Sequence, residues 1–438
     1  MSKNVVLLIM DTARAQNFSC YGYEKETTPF IDSVAENGVI FKNCYANAPW
    51  TLPSHYSFFT GELPPVHGYT SKDKKSSYDR ATLPERLSKR GYRTIGISNN
   101  GYISSLYGFD EYFDEFHFNA DEAGIDYKLL FENDEIFYDL VEGEREEKWS
   151  NAKEKYKYFL KRVAREKSSK SLVNGFYYFV NNKLGSSEEK DDGAEKSNKI
   201  ALQSIDEEPF FLFINYVEPH TPYNPPDEYA LEFLNEKELE RARKLSKIDS
   251  LKHLKEEKER DDDARLLEML YNAEIKYLDQ KIKELVNQIE EKADDETVFI
   301  IASDHGEYFG ERGLWEHMGE LGEEVLNVPL VIKNYGCYQE EKIFPLRNLF
   351  DVLPQISNSD EINSEYGKFL SHYSGLDSHQ WRINPDEFPE RFLEQQYYFG
   401  REGVREYFNK LENIPDDEVR KDLELAKKNS DFDLIEEF

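Results

Sequence analysis

An aspartate and a histidine, Asp304 and His305, stand side by side where the apolar run Thr297–Ala302 gives way to Ser303-Asp-His-Gly306. A carboxylate and an imidazole at the mouth of a buried strand have the makings of a metal-ligand pair. A second carboxylate, Asp11, directly follows another apolar run, Val5–Met10. Two carboxylates with one imidazole form a hard-to-borderline donor set suited to Mn²⁺, Zn²⁺ or Mg²⁺. Thr51, in Ala48-Pro-Trp-Thr-Leu-Pro-Ser-His55, has the position of an N-cap, with Pro53 in the first turn and Gly61 closing the helix. Its hydroxyl, and any anion it attacks, would sit at the positive end of a helix dipole. With Thr51 Oγ as a further ligand, the ion lowers the hydroxyl pKa and yields a nucleophile near neutral pH. His220 and His317 then bind the non-bridging oxygens of an anionic substrate or donate a proton to its leaving group. The same arguments assign no role to His55 or His67.

The elements that must bring these residues together are legible in the hydrophobic pattern. Val5–Met10, Tyr92–Ser98, Pro209–Val217 and Thr297–Ala302 read as buried strands, and they end at Asp11, Asn99-Asn100, Glu218 and Asp304. Helical patterns lie between them: Thr28–Asn37, Thr51–Thr60, Leu83–Arg90, and a long amphipathic segment with Leu267, Leu270, Ile275, Leu278, Ile282 and Leu285 near helical spacing. Strands alternating with helices predict an α/β fold, a mainly parallel central sheet with helices on both faces. Ligands in such sheets bind beyond the carboxyl ends of the strands, so Asp11, Asn100, His220, Asp304 and His305 converge although nearly three hundred positions separate the first from the last. Val39–Phe41 reads as a further short strand and Phe344–Ile356 as a further helix. We expect a catalytic domain over residues 1–340, carrying a charged, aromatic helical insertion at about 110–204, and a C-terminal subdomain with an acidic helical tail over 341–438.

Composition bounds the partners. The 438 residues carry a net charge of −32, which repels polyanions and argues against nucleic acid or an anionic membrane surface. An anionic substrate therefore needs a local positive centre. Three cysteines form no C-x-x-C pair and no complete disulfide framework, which points to a reducing compartment. The first residues run straight into the strand Val5–Met10 with no signal-peptide pattern, and no stretch approaches the ~20 apolar residues of a membrane span. These features give the expectation of a soluble, cytoplasmic protein.

Several of these motifs together resemble one family. Asp11-Thr-Ala-Arg14, Thr28-Pro-Phe-Ile-Asp32, Thr51-Leu-Pro-Ser-His55 with Thr60-Gly61 and His67-Gly68, Glu218-Pro-His-Thr-Pro-Tyr223, Ser303-Asp-His-Gly-Glu307 and Val328-Pro-Leu330 are similar in order and spacing to the sulfatase family of the alkaline phosphatase superfamily. Tyr271-Asn-Ala-Glu-Ile-Lys-Tyr-Leu-Asp279 resembles the helix that precedes the family's last metal motif. The resemblance covers roughly residues 3–105 and 205–335. It implies that Asp11, Asp304 and His305 bind a divalent ion (Mn, Zn, Mg or Ca), that Thr51 is the nucleophile and a ligand, and that His220 and His317 contact the substrate.

The departures matter equally. Sulfatases of the main type carry C-x-P-S-R, whose cysteine becomes formylglycine; here Thr51 takes the cysteine position and His55 the arginine position. Threonine cannot be converted to that aldehyde. The usual second aspartate after Asp11 is Thr12, and the lysine-histidine substrate motif is replaced around Asn99-Asn100. His55 and Asn100 are accordingly expected at the substrate. These substitutions look like those of the phosphoryl-handling relatives, whose metal-bound threonine attacks phosphorus. The resulting expectation is a metal-dependent hydrolase of sulfate or phosphate esters, phosphoryl esters favoured, acting on an anionic small molecule or glycan through a covalent intermediate. Two alternatives remain: a transferase passing a phosphoryl-linked group to a glycan acceptor, and a non-catalytic binder of anionic glycans.

Overall fold

Met10 is the last of seven residues, Asn4–Met10, that are all buried, and both faces of that strand are covered. Val6, Leu8 and Met10 belong to one hydrophobic cluster and Val5, Leu7 and Ile9 to another. Alternate side chains of an extended chain point to opposite faces, so a run apolar at every position demands a layer on each side. The computed structural model describes residues 3–62, 64–69, 80–119, 193–246, 260–294, 296–311, 314–317 and 322–356, and all but Asn119 lie in one compact unit.

The strands are β1 (Asn4–Met10), β2 (Val39–Tyr45), β3 (Arg93–Ser98), β4 (Glu115–Phe118), β5 (Phe210–Tyr216), β6 (Thr297–Ala302), β7 (Tyr308–Phe309), β8 (Trp315–Glu316), β9 (Asn327–Val328), β10 (Leu330–Lys333) and β11 (Tyr338–Pro345). Among the described residues, nine of them form a sheet in the order β11-β2-β10-β6-β1-β5-β3-β4, with β9 on β2; β7 and β8 pair separately. β1 lies in the middle, parallel to β5 and β6, with Leu8 opposite Ile214 on one side and Ile301 on the other. β3 is parallel to β5 and β4, while β10 runs antiparallel between β6 and β2. The mainly parallel sheet expected from the sequence is the observed one.

One face is covered by helix α1 (Pro29–Asn37), the helix Ala194–Ser204 and the 33-residue helix Arg260–Lys292, whose Leu267, Leu270, Ile275, Leu278, Ile282 and Leu285 are all buried. The other is covered by helix α2 (Thr51–Thr60) and the helices Leu83–Ser88 and Leu349–Ile356. Truncating a core residue such as Leu7 or Leu8 to alanine would cost about 2–5 kcal/mol, because both layers are packed against the strand.

Three boundaries differ from the sequence reading. Phe344 and Pro345 close the strand β11 rather than open a helix, which begins at Leu349. β11 escaped notice because its Tyr-Gln-Glu-Glu-Lys-Ile-Phe-Pro is polar at the centre, as an edge strand with one neighbour tolerates. At the flanks of the expected insertion, β4 extends the sheet and Ala194–Ser204 joins a covering layer. The interior of that insertion, residues 120–192, and the C-terminal residues 357–438 lie outside the described residues.

Candidate active site

Every strand that the sequence ended on a polar residue delivers it to the same edge of the sheet. Asp11 follows β1, Asn100 follows β3, His220 follows β5, and Asp304 and His305 follow β6. Thr51 reaches that edge on α2, the helix that follows β2. It is the first residue of α2, with Trp50 as the cap, and so corrects the N-cap expectation. Its hydroxyl is therefore not turned back on its own helix; Thr51 Oγ1 lies 3.2 Å from His305 Nε2.

Three donor atoms converge beside it. Asp11, Asp304 and His305 are wholly buried, and one ligand atom from each lies within 4.8 Å of the others. His305 Nε2 is 3.7 Å from Asp11 Oδ1 and 3.5 Å from Asp304 Oδ2. Those two oxygens are buried without a hydrogen-bond partner, whereas the second oxygen of each carboxylate is held. Asp11 Oδ2 accepts from Asn100 Nδ2 at 2.6 Å. Asp304 Oδ1 accepts from the backbone N–H of His305 at 3.0 Å and of Thr12 at 3.4 Å. His305 Nδ1 lies 3.0 Å from the Gly306 carbonyl, which fixes the proton on Nδ1 and leaves the Nε2 lone pair facing the oxygens. Two bare buried carboxylate oxygens and one imidazole nitrogen whose other neighbour is the Thr51 hydroxyl, at a common point, fit a divalent cation.

The electrostatics agree. Burial pushes the Asp304 carboxyl well above the ordinary range, and the neighbouring charge of Asp11 adds to it. Asp11 is likewise raised by burial, against the pull of His220. Burial, reinforced by His317, holds His305 well below the usual imidazole range. Burial would lower His220 too, but the carboxylates of Asp11 and Glu307 outweigh it and raise the imidazole.

The framework around the site is built from close approaches. A Cβ on Gly306 would lie 2.1 Å from the Glu324 carbonyl oxygen and 2.9 Å from Arg14 Cβ, so only glycine fits there. Thr12 holds a left-handed φ of +61°, unusual for a β-branched residue. Its hydroxyl donates to the Pro219 carbonyl at 2.6 Å and its own carbonyl accepts from Tyr271 Oη at 2.8 Å, which anchors the Asp11 loop to two other elements.

Of the expected substrate residues, Asn100 is at the site, its Nδ2 also 3.5 Å from Thr51 Oγ1. Asn99 instead accepts from Ser197 Oγ at 2.9 Å, and Glu218 accepts from the Ala194 N–H at 2.6 Å, both turned to the helix Ala194–Ser204. The rings of His220 and His317 have centroids 5.4 Å apart, and that of His317 lies 4.4 Å from His305. His55 departs from the expectation. Its Nδ1 bonds the Thr51 carbonyl at 2.9 Å and lies 3.4 Å from Asp304 Oδ2, its Nε2 is 3.5 Å from Asn215 Nδ2, and Phe58, Phe59, Phe109 and Phe213 surround the ring. With both nitrogens engaged, it braces the start of α2 instead of reaching a substrate. His67 is a strut within that region, 3.2 Å from Ser57 Oγ.

Sequence reasoning missed two residues. Asn215, wholly buried on β5, lies with its Nδ2 3.5 Å from His55 Nε2 and helps to lower the Asp11 carboxyl against its burial; a lone amide near the end of an apolar strand was the available signal. Glu307, wholly buried, meets His317 Nδ1 at 3.1 Å; it was quoted only as the end of a motif.

The chain as a whole is similar to known proteins. The family model described as Sulfatase matches residues 3–359. The chain is 24% identical over 470 residues to an arylsulfatase of Clostridium perfringens, spanning 95% of this chain and 89% of that one. It is 24% identical over 385 residues to a choline-sulfatase of Rhizobium meliloti, spanning 83% and 68%. Among solved structures, a phosphonate monoester hydrolase of Agrobacterium radiobacter superposes with a TM-score of 0.54 at 16% identity, over 81% of this chain and 73% of that one. That likeness shows a common fold.

Proposed function

The chain belongs to the sulfatase family, and on that premise we propose that it is a metal-dependent hydrolase of sulfate or phosphate esters, phosphoryl esters above all, with Thr51 as its nucleophile. One observation carries the reading: the Thr51 hydroxyl, at the start of α2, sits 3.2 Å from His305 Nε2 at the point where Asp11 Oδ1 and Asp304 Oδ2 are left without partners.

Asp11, Asp304, His305 and Thr51 would hold the cation. A divalent ion there supplies positive charge that lowers the pKa of the threonine hydroxyl and offsets the charge of an anionic ester. The Thr51 hydroxyl gives up its proton to solvent, and its Oγ forms a bond to phosphorus or sulfur as the bond from that atom to the leaving alkoxide breaks, giving a Thr51 ester. The alkoxide takes a proton from His220, whose imidazole the carboxylates of Asp11 and Glu307 raise, while burial keeps His317 neutral beside it. Water then cleaves the Thr51 ester, which releases the inorganic anion and restores the hydroxyl. The α2 N-terminus favours the anion throughout, and Asn100 Nδ2 holds Asp11 Oδ2 while lying near the nucleophile. Phosphoryl esters are favoured because the nucleophile is a plain alcohol; the aldehyde chemistry that the resemblance associates with sulfate turnover needs a cysteine at position 51. The substrate is then an anionic small-molecule or glycan ester.

The test is hydrolysis of matched aryl phosphate monoester, aryl phosphodiester and aryl sulfate by metal-loaded protein, with Thr51→Ala as the blank. A phosphoryl ester cleaved by the wild type alone is the expected result. Equal turnover by Thr51→Ala would remove Thr51 as nucleophile, and cleavage of the sulfate alone would reverse the stated preference.

A further inference from the structure

Glu307 is wholly buried, lies two residues past a metal-site histidine, and takes no direct part in the steps above. Its two oxygens face two different elements. Oε1 lies 3.1 Å from Nδ1 of His317, and Oε2 accepts from the Tyr223 hydroxyl at 3.2 Å. The backbone around it is fixed as well: the Glu307 carbonyl accepts from Arg14 Nη1 at 3.0 Å, and its N–H donates to the Glu324 carbonyl at 3.2 Å. His317 is itself almost fully buried, packed between the rings of His305 and His220. His220 shows the same arrangement from another source, its Nδ1 lying 2.6 Å from the Thr221 carbonyl.

We propose that Glu307, steadied by Tyr223, is a positioning residue that accepts the Nδ1 proton of His317 and so makes Nε2 the nitrogen through which His317 deals with the ester. A buried imidazole with Nδ1–H held in this way cannot turn over by a ring flip, and any proton it gives or takes passes at Nε2. Tyr223 fixes the other oxygen, so the carboxylate cannot rotate away. The effect on catalysis rests on the hydrolase reading, whereas the proton position does not.

Two measurements separate the two. In ¹⁵N-histidine-labelled, metal-loaded protein without substrate, the His317 ring is assigned by subtraction of the spectrum of His317→Gln. The expected result is a proton on Nδ1 in the wild type and in Glu307→Gln, whose side-chain carbonyl still accepts it, and loss of that preference in Glu307→Ala. On the cleaved aryl ester, Glu307→Ala should lower kcat about 10–100-fold with KM changed less than about threefold, as loss of an orienting partner typically does. Glu307→Gln should recover most of that loss, and Tyr223→Phe should show a smaller drop than Glu307→Ala. A bare Nδ1 in the wild type would overturn the proposal, as would wild-type kcat in Glu307→Ala. If Glu307→Ala does not fold, the wild-type and Glu307→Gln spectra decide alone. If no ester is cleaved by the wild type, the hydrolase reading fails while the spectra still judge Glu307.

Discussion

Buried carboxylates of two kinds occur in this fold, one a strut and the other at the candidate metal site. Asp279, on the helix Arg260–Lys292, has both oxygens answered: Oδ2 accepts from the Phe30 N–H and Oδ1 from the Ile31 N–H, each at 2.9 Å. These are orphan donors in the first turn of α1, whose Thr28 cap makes no side-chain cap bond. Asp11 and Asp304 have one oxygen answered and one bare. All three are raised by burial, so burial does not distinguish them. The distinction lies in the second oxygen. A carboxylate matched at both oxygens by fixed N–H groups holds two elements together, and one whose bare oxygen faces other bare donors is a place for a cation.

The comparison breaks most sharply at Thr51. Thr51→Ala should lower turnover on the order of 10³-fold or more, as loss of a nucleophile does. Because Thr51 does not cap α2, the fold should lose less than the ~1 kcal/mol typical of a cap. A large fall in melting temperature would show that the hydroxyl is structural, as in Asp279. Asp304→Ala should remove both activity and the stabilisation that a divalent ion confers. At about 100 times its Kd an ion adds ~2.7 kcal/mol to the wild type. A variant that keeps the metal-dependent rise in melting temperature would show that the bare oxygen of Asp304 is not a ligand.

The site was legible to the extent that chemistry follows strand ends. Asp11, Asn100, His220, Asp304 and His305 each follow a run whose apolar pattern marks a buried strand, and the parallel sheet brings such ends together. Side-chain direction was not legible. His55 and Thr51 lie four residues apart on one helix face, yet one braces the backbone of α2 from within a phenylalanine cage and the other faces the donors. No one-dimensional pattern separates those outcomes, because the packing of Phe109 and Phe213, distant in sequence, decides them. The motif Tyr271–Asp279 was visible, but its function was not. Tyr271 bonds the backbone of Thr12 and Arg14, Asn272 accepts from Asn17, and Asp279 holds α1, so this helix fastens the loop that carries Asp11. β11 was missed because an edge strand needs apolar residues on little of its surface.

Asp279 offers the converse test, with a smaller effect. Asp279→Ala leaves two buried N–H groups of α1 unmatched and should cost about 1–3 kcal/mol, with kcat changed far less than in Thr51→Ala. Asp279→Asn sharpens the point through pH. Burial pushes the Asp279 carboxyl up to about 7, against the two N–H bonds and Lys283, which pull it down, and with Asp32 adding to the rise. A group raised above its unfolded value of about 3.9 stabilises the fold fully at low pH and loses that contribution as pH rises through the folded value. The asparagine cannot ionise. The stability advantage of wild type over Asp279→Asn should therefore be greatest near pH 4 and shrink towards pH 7, as read from urea unfolding at each pH. An advantage that grows with pH would mean that the helix N-terminus holds Asp279 ionised in spite of burial. A fully matched buried carboxylate would then keep its charge without a cation, and the bare oxygens of Asp11 and Asp304 alone would separate the metal site from the strut.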